Sequence, residues 1–153
     1  MTDVQHEIAL ELTHRYDASR DDVFAAWIDP SVLRRWWAAQ PSWETPLAEV
    51  DAVEGGRYRL SMRTDEGDLH TVGGTFTEVR PPERLAYTWA WEDGPSGAMA
   101  GSKETLVVVD FVEDGDGTLV RLTHSGFATE EIRDMHVHGW DAVLANLARA
   151  VFA

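Results

Sequence analysis

The stretch Thr129-Glu-Glu-Ile132-Arg-Asp-Met135-His-Val-His-Gly139-Trp140-Asp-Ala-Val143-Leu144-Ala-Asn-Leu147-Ala-Arg-Ala-Val151-Phe152 decides the fold. Thr129 suits an N-cap, and Glu130 and Glu131 sit where a helix dipole favours negative charge. Ile132, His136, Trp140, Val143, Leu144, Leu147 and Val151 recur at helical spacing, with Arg133, Asp134, Asp141 and Arg149 mostly on the other side. The spacing predicts an amphipathic helix of roughly six turns, longer than the usual three or four. Nearly everything upstream reads as strands. A long helix with one apolar stripe needs a sheet to lie on, so the upstream chain is expected to be that sheet, curled around the helix. Gly139 interrupts the helix at a cost of about 1 kcal/mol relative to alanine. Close packing on a strand would explain it, and so would room left for a ligand.

Residues 7–16 alternate, with Ile8, Leu10, Leu12, His14 and Tyr16 on one face, as in a half-buried strand. Ser19 can cap a short helix carrying Val23, Phe24, Trp27 and Ile28, which Asp29-Pro30 stops. Pro30 can open a second short helix whose body is Val32 to Trp37. Six strands then follow, over 47–53, around Tyr58 to Met62, over 69–79, from Leu85 to Trp91, from Thr105 to Val112 and from Leu119 to Ser125. Gly55-Gly56, Asp65-Glu-Gly67-Asp68 and Glu113-Asp-Gly-Asp-Gly117 are turn signals, and Gly73-Gly74 suggests a bulge or bend. Short turns between sequential strands predict an antiparallel sheet. Asp93 to Gly101, rich in small residues, reads as a mobile flap near one end of any cavity.

The chain has 153 residues, 44% of them hydrophobic and 26% charged, which suits one domain with a real core. The formal net charge of −14 opposes binding to nucleic acid or to anionic membranes, both of which demand basic patches. No apolar run approaches a membrane span, and the polar N-terminus does not read as a signal peptide, so a cytoplasmic location is expected. The absence of cysteine removes disulfides, thiol nucleophiles and thiolate metal sites.

Six histidines raise the question of metal or acid–base chemistry. His136 and His138, two apart on a helix, diverge, whereas zinc pairs use a spacing of four with a glutamate between. His124 and His136 could converge, and a hydrogen-bonded structural pair is the favoured reading of them. They are also the only weak candidates for a catalytic role. Gly94-Pro-Ser96-Gly97 is not a nucleophile elbow, and neither glycine pair has the helix and lysine of a phosphate loop. No metal and no cofactor are expected. The aromatic residues carry more information. Trp36, Trp37 and Trp43 lie in the short-helix region, and Tyr58, Phe76, Tyr87, Trp89 and Trp91 lie on strands. An apolar cavity with a few polar tips is the usual form of a small-ligand site.

Several local phrases, in order along nearly the whole chain, carry a resemblance. They are Val23-Phe24-Ala-Ala-Trp27-Ile-Asp29-Pro30, Trp36-Trp37, Gly55-Gly56-Arg57-Tyr58-Arg59, Gly74-Thr-Phe76, Pro81-Pro82-Glu83-Arg84-Leu85, Leu122-Thr-His124-Ser-Gly126-Phe127 and His136-Val-His-Gly139-Trp140. The sequence resembles the bacterial proteins grouped with the activator of the heat-shock-protein-90 ATPase, within the START-like, or SRPBCC, superfamily of helix-grip domains. The resemblance implies an α+β fold, with a seven-stranded antiparallel sheet curled around the long C-terminal helix and two short helices after the first strand. It also implies a hydrophobic cavity between sheet and helix.

The leading expectation is a domain that binds a small apolar or weakly polar molecule in that cavity. Two others are a cyclase- or aromatase-like enzyme using the same space, and a co-chaperone-type module regulating a heat-shock ATPase. A homodimer is left open. By strand parity Tyr58, Leu60, Met62, Phe76, Tyr87, Trp89, Val107, Val109 and Leu122 are expected on the concave face. Met135, Gly139 and Val143 should lie opposite on the helix, His124 and His136 should supply polar tips, and Trp37 should close one end. Arg57, Arg59, Arg63 and Arg121 are expected to face outward.

Overall fold

The computed structural model describes residues 7–93 and 104–153. The long helix, α3, spans Glu130–Ala150, and the Thr129 side chain caps it by accepting from the Ile132 N–H at 3.1 Å. Its buried face is Trp140, Val143, Leu144, Asn146 and Leu147. The strands are β1 (Ala9–Tyr16), β2 (Ala48–Val50), β3 (Arg57–Arg63), β4 (Leu69–Arg80), β5 (Arg84–Asp93), β6 (Thr105–Asp114) and β7 (Gly117–Ser125). They form one antiparallel sheet in the order β1-β7-β6-β5-β4-β3-β2, curled around α3 in a helix-grip arrangement. The first and last sheet strands in sequence are neighbours, so the chain returns to its start before α3 begins.

Two short helices, α1 (Arg20–Ile28) and α2 (Pro30–Trp36), follow β1. Ser19 caps α1 by accepting from the Asp22 N–H. Asp29 ends α1 and begins α2, its carboxylate accepting from the Ser31 N–H at 2.9 Å. Trp37, expected in the body of α2, is instead the residue that ends it, and the strand expected over 47–53 is only three residues long.

Alternation carries into burial as the pleat requires. Tyr58, Leu60 and Met62 are buried while Arg57, Arg59 and Arg63 are exposed, and Arg121 is also exposed. The β3–β4 hairpin turns through Gly67, whose φ of 91° lies in the left-handed region that favours glycine. That turn pairs Met62 with His70 and Leu60 with Val72. The β4–β5 register shifts between Phe76 and Glu78, and a side chain at Gly74 would begin 2.0 Å from the Thr88 carbonyl oxygen. Gly74 therefore permits the close backbone approach at which the sheet bends.

Polar groups tie the helices into place. The Tyr16 hydroxyl donates to the Leu144 carbonyl at 2.8 Å, and Asn146 donates to the Trp36 carbonyl at 3.0 Å. The Trp36 indole donates to the Ala26 carbonyl at 3.0 Å, linking α2 back to α1. None of the helices is long and apolar enough to cross a membrane among the described residues.

Candidate functional site

Sheet and α3 do not close on each other along their whole length. Between β3, β4 and β5 on one side and the first half of α3 on the other lies a recess of about 170 Å³. Strand residues Met62, His70, Trp89 and Trp91 form its floor. Ile132, Met135, His136, Gly139, Trp140 and Val143 form its roof, and Trp37, Ala39 and Trp43 close the side. No charged residue is among them. A second space of about 20 Å³ lies deeper, against Leu60, Tyr58, Phe76 and Tyr87, and Trp37 and Trp89 wall both.

Trp37 thus stands between two spaces rather than closing one end, as the sequence had suggested. Met62, Trp89, Met135, His136, Gly139 and Val143 meet at the main recess, and Tyr58, Leu60, Phe76 and Tyr87 meet at the smaller one. Val107, Val109, Leu122 and His124 face α3 from the same side of the sheet, but they are fully buried in packed core and line neither space. Met135 is 43% exposed, which puts it at the rim.

Gly139 borders open space: a Cβ there would meet nothing within 4 Å outside its own helix. Close packing against a strand is therefore not the reason for this glycine. Its missing side chain widens the recess.

The two histidines meet, though not through a mutual hydrogen bond. Their rings stand edge to face, 5.3 Å apart between centroids. An indole nitrogen can only donate, so the tryptophan partners set the tautomers. Trp91 Nε1 donates to His136 Nε2 at 2.9 Å, which leaves the His136 proton on Nδ1, 2.9 Å from the Ile132 carbonyl. Trp140 Nε1 donates to His124 Nδ1 at 3.0 Å, leaving the proton on Nε2, 2.7 Å from the Thr105 hydroxyl. That hydroxyl donates onward to the Trp89 carbonyl at 3.1 Å. Each ring uses both nitrogens and is neutral. Burial holds His124 well below its ordinary value of 6.5, and the neighbouring His136 adds to the effect. Burial lowers His136 too, against the opposing hydrogen bond to Ile132. The expected hydrogen-bonded histidine pair is corrected to two separately anchored rings.

Trp89 is the centre of this cluster, with Trp37, Trp91, His124, His136 and Trp140 all within 6.2 Å between ring centroids. Most of these pairs are edge-to-face, the arrangement that ring quadrupoles favour. The Trp37 and Trp89 indole N–H groups are buried and have no hydrogen-bond partner among the described residues. Trp27 Nε1 also lacks a well-formed partner, but the Tyr87 hydroxyl lies beside it.

The expected site set omitted several wall residues. Trp91 shares the parity of Trp89, and Trp140 and Ile132 lie on the apolar stripe of α3, so alternation and helical spacing could have included them. His70 needed the hairpin register that sets it opposite Met62. Ala39 and Trp43 lie in irregular chain, where no periodicity points inward. The expected flap over 93–101 lies, beyond Asp93, outside the described residues. Among the described residues no cluster of histidines and carboxylates could hold a metal ion.

A family model described as "Activator of Hsp90 ATPase homolog 1-like protein" matches residues 17–151. No curated protein matches the chain. Among solved structures, a protein of Chromobacterium violaceum is similar at 24% identity and a TM-score of 0.82, with 95% of this chain and 97% of that one covered. The AHSA1-like protein from Aeromonas hydrophila is 29% identical at a TM-score of 0.76, covering 94% and 92%. The AHSA1 protein from Silicibacter pomeroyi is 24% identical at 0.78, covering 93% and 96%.

Proposed function

The chain belongs to the family of Activator of Hsp90 ATPase homolog 1-like proteins, and on that premise we propose that it binds a small, mostly apolar molecule between the curled sheet and α3. The observation that carries this reading is the uncharged recess of about 170 Å³, walled chiefly by tryptophan, methionine and aliphatic side chains. Burying apolar surface there is worth roughly 25 cal/mol per Å². The space is smaller than the roughly 300–1,000 Å³ of sites for drug-sized ligands, so the molecule is of the size of a ring or a short chain.

Binding is favoured over catalysis by the state of the histidines. A general base needs a free lone pair within reach of the substrate. His136 lines the recess, yet its one bare nitrogen already accepts from Trp91. His124 lines neither space.

Tryptophan fluorescence tests the proposal, because Trp89 and Trp91 wall the recess. Titration with small aromatic compounds and short acyl chains should give saturable quenching. Gly139→Leu, which projects a side chain into the recess, should abolish it while the protein stays folded. Quenching that is absent for every apolar compound, or unchanged in this variant, would refute the reading.

A further inference from the structure

Four deeply buried indoles wall the recess, and their N–H groups fall into two pairs. Those of Trp91 and Trp140 are taken by His136 and His124. Those of Trp37 and Trp89 are taken by nothing among the described residues, although the two residues are only 3% and 4% exposed. Buried donors without acceptors are uncommon, because such a group loses its hydrogen bond to water on folding and gains none in return. That both belong to one pair of rings calls for a physical reason. Their rings meet edge to face at 5.7 Å and form the shared wall of the two spaces.

We infer that Trp37 and Trp89 are the polar anchor of the site, and that its ligand carries an uncharged oxygen acceptor, of the ketone, aldehyde or amide kind, on a small aromatic or aliphatic frame. The inference rests on the binding reading above and narrows it. The frame occupies the recess, and the oxygen accepts from one or both indoles. A carboxylate or phosphate fits less well, because among the described residues no arginine or lysine lines either space and the chain carries a net charge of −14. Both nitrogens are buried, so the acceptor reaches them as an indole turns. Of the two, Trp37 lies outside regular secondary structure, whereas Trp89 lies within β5. Trp37 follows the last residue of α2, at φ −76° and ψ 80°, off helical geometry.

The test uses matched compounds that differ only in the acceptor. Acetophenone is paired with ethylbenzene, and acetylnaphthalene with ethylnaphthalene. Binding is followed by proton–nitrogen correlation spectra of the indole groups, with Trp37 and Trp89 assigned from Trp37→Phe and Trp89→Phe. The ketone of at least one pair should bind about tenfold more tightly than its hydrocarbon. The Trp37 or Trp89 indole proton should move downfield with the ketone only. In the corresponding phenylalanine variant the ratio of ketone to hydrocarbon affinity should fall to about one, whatever that variant's affinity for the hydrocarbon itself. Should a variant fail to fold, the indole shifts of the unaltered protein still decide, with assignment by elimination from the other tryptophans. Equal affinities with no selective shift would overturn the anchor while leaving the binding reading intact. Binding of neither member of either pair would overturn both.

Discussion

At the scale of single residues the decisive fact is that an indole nitrogen only donates. Trp91 and Trp140 therefore hold His136 and His124 neutral, since a proton on the accepting nitrogen would face another donor. Both histidines have folded pKa values below the ordinary 6.5. Between those lowered values and 6.5 the unfolded chain binds more protons than the native one, so stability rises with pH across that window. The contribution is fully present above about pH 6.5 and is lost as pH falls through the lowered values. Urea denaturation should therefore show a lower midpoint at pH 5.5 than at pH 7.5, before the bulk of the carboxylates titrate. Replacing both histidines with glutamine should flatten that slope, and an unchanged slope would contradict the account. Removing one donor should have the converse local effect. In Trp91→Phe the His136 Nε2 is released, and its pKa, followed by ring-proton shifts, should move up toward 6.5.

Among the elements, α3 carries both the anchoring of the fold and the roof of the recess, and two positions separate these roles. Gly139 faces open space, so Gly139→Ala adds helix propensity without a clash and should raise stability by up to about 1 kcal/mol. The same methyl group intrudes on the recess, so affinity for apolar ligands should fall. Thermal melting and fluorescence titration of one variant measure both effects, and a gain in both would show that the glycine does not serve the recess. Asn146 lies on the buried face two turns further on, where its amide donates to the Trp36 carbonyl. Asn146→Ala leaves that carbonyl without this partner and should cost about 1–3 kcal/mol in urea denaturation. No change in midpoint would mean that the bond contributes nothing to the docking of α2 on α3.

At the scale of the whole molecule, the described residues keep charge outside and most aromatic surface inside. Arg57, Arg59, Arg63 and Arg121 are all exposed, on the opposite face of the sheet from the recess. A buried phosphate would lack a counter-charge, at a cost of roughly several kcal/mol. ATP should therefore give no saturable quenching under conditions where an apolar aromatic compound does, and saturable nucleotide binding would overturn the assignment of the walls. Most of this architecture was legible in the sequence, because pleat and helix impose periods of two and 3.6 on any chain that buries one face. Alternation in β3 and β5 named the inward residues, Ser19, Asp29 and Thr129 marked the helix starts, and the order of phrases pointed to the helix-grip fold. Alternation tells which side a residue faces but not how far the opposing layer stands away. Val107, Val109 and Leu122 share that inward side with Met62 and Trp89, and only the third dimension separates packed core from recess. The helix comes closest to β1 and α2 and leaves the recess open over β3 to β5, a difference in distance that no local pattern encodes. The hydrogen bonds of His124 and His136 likewise join residues far apart in the chain. Tertiary packing alone decided that each ring takes a tryptophan donor, and that the Trp37 and Trp89 donors have no acceptor among the described residues.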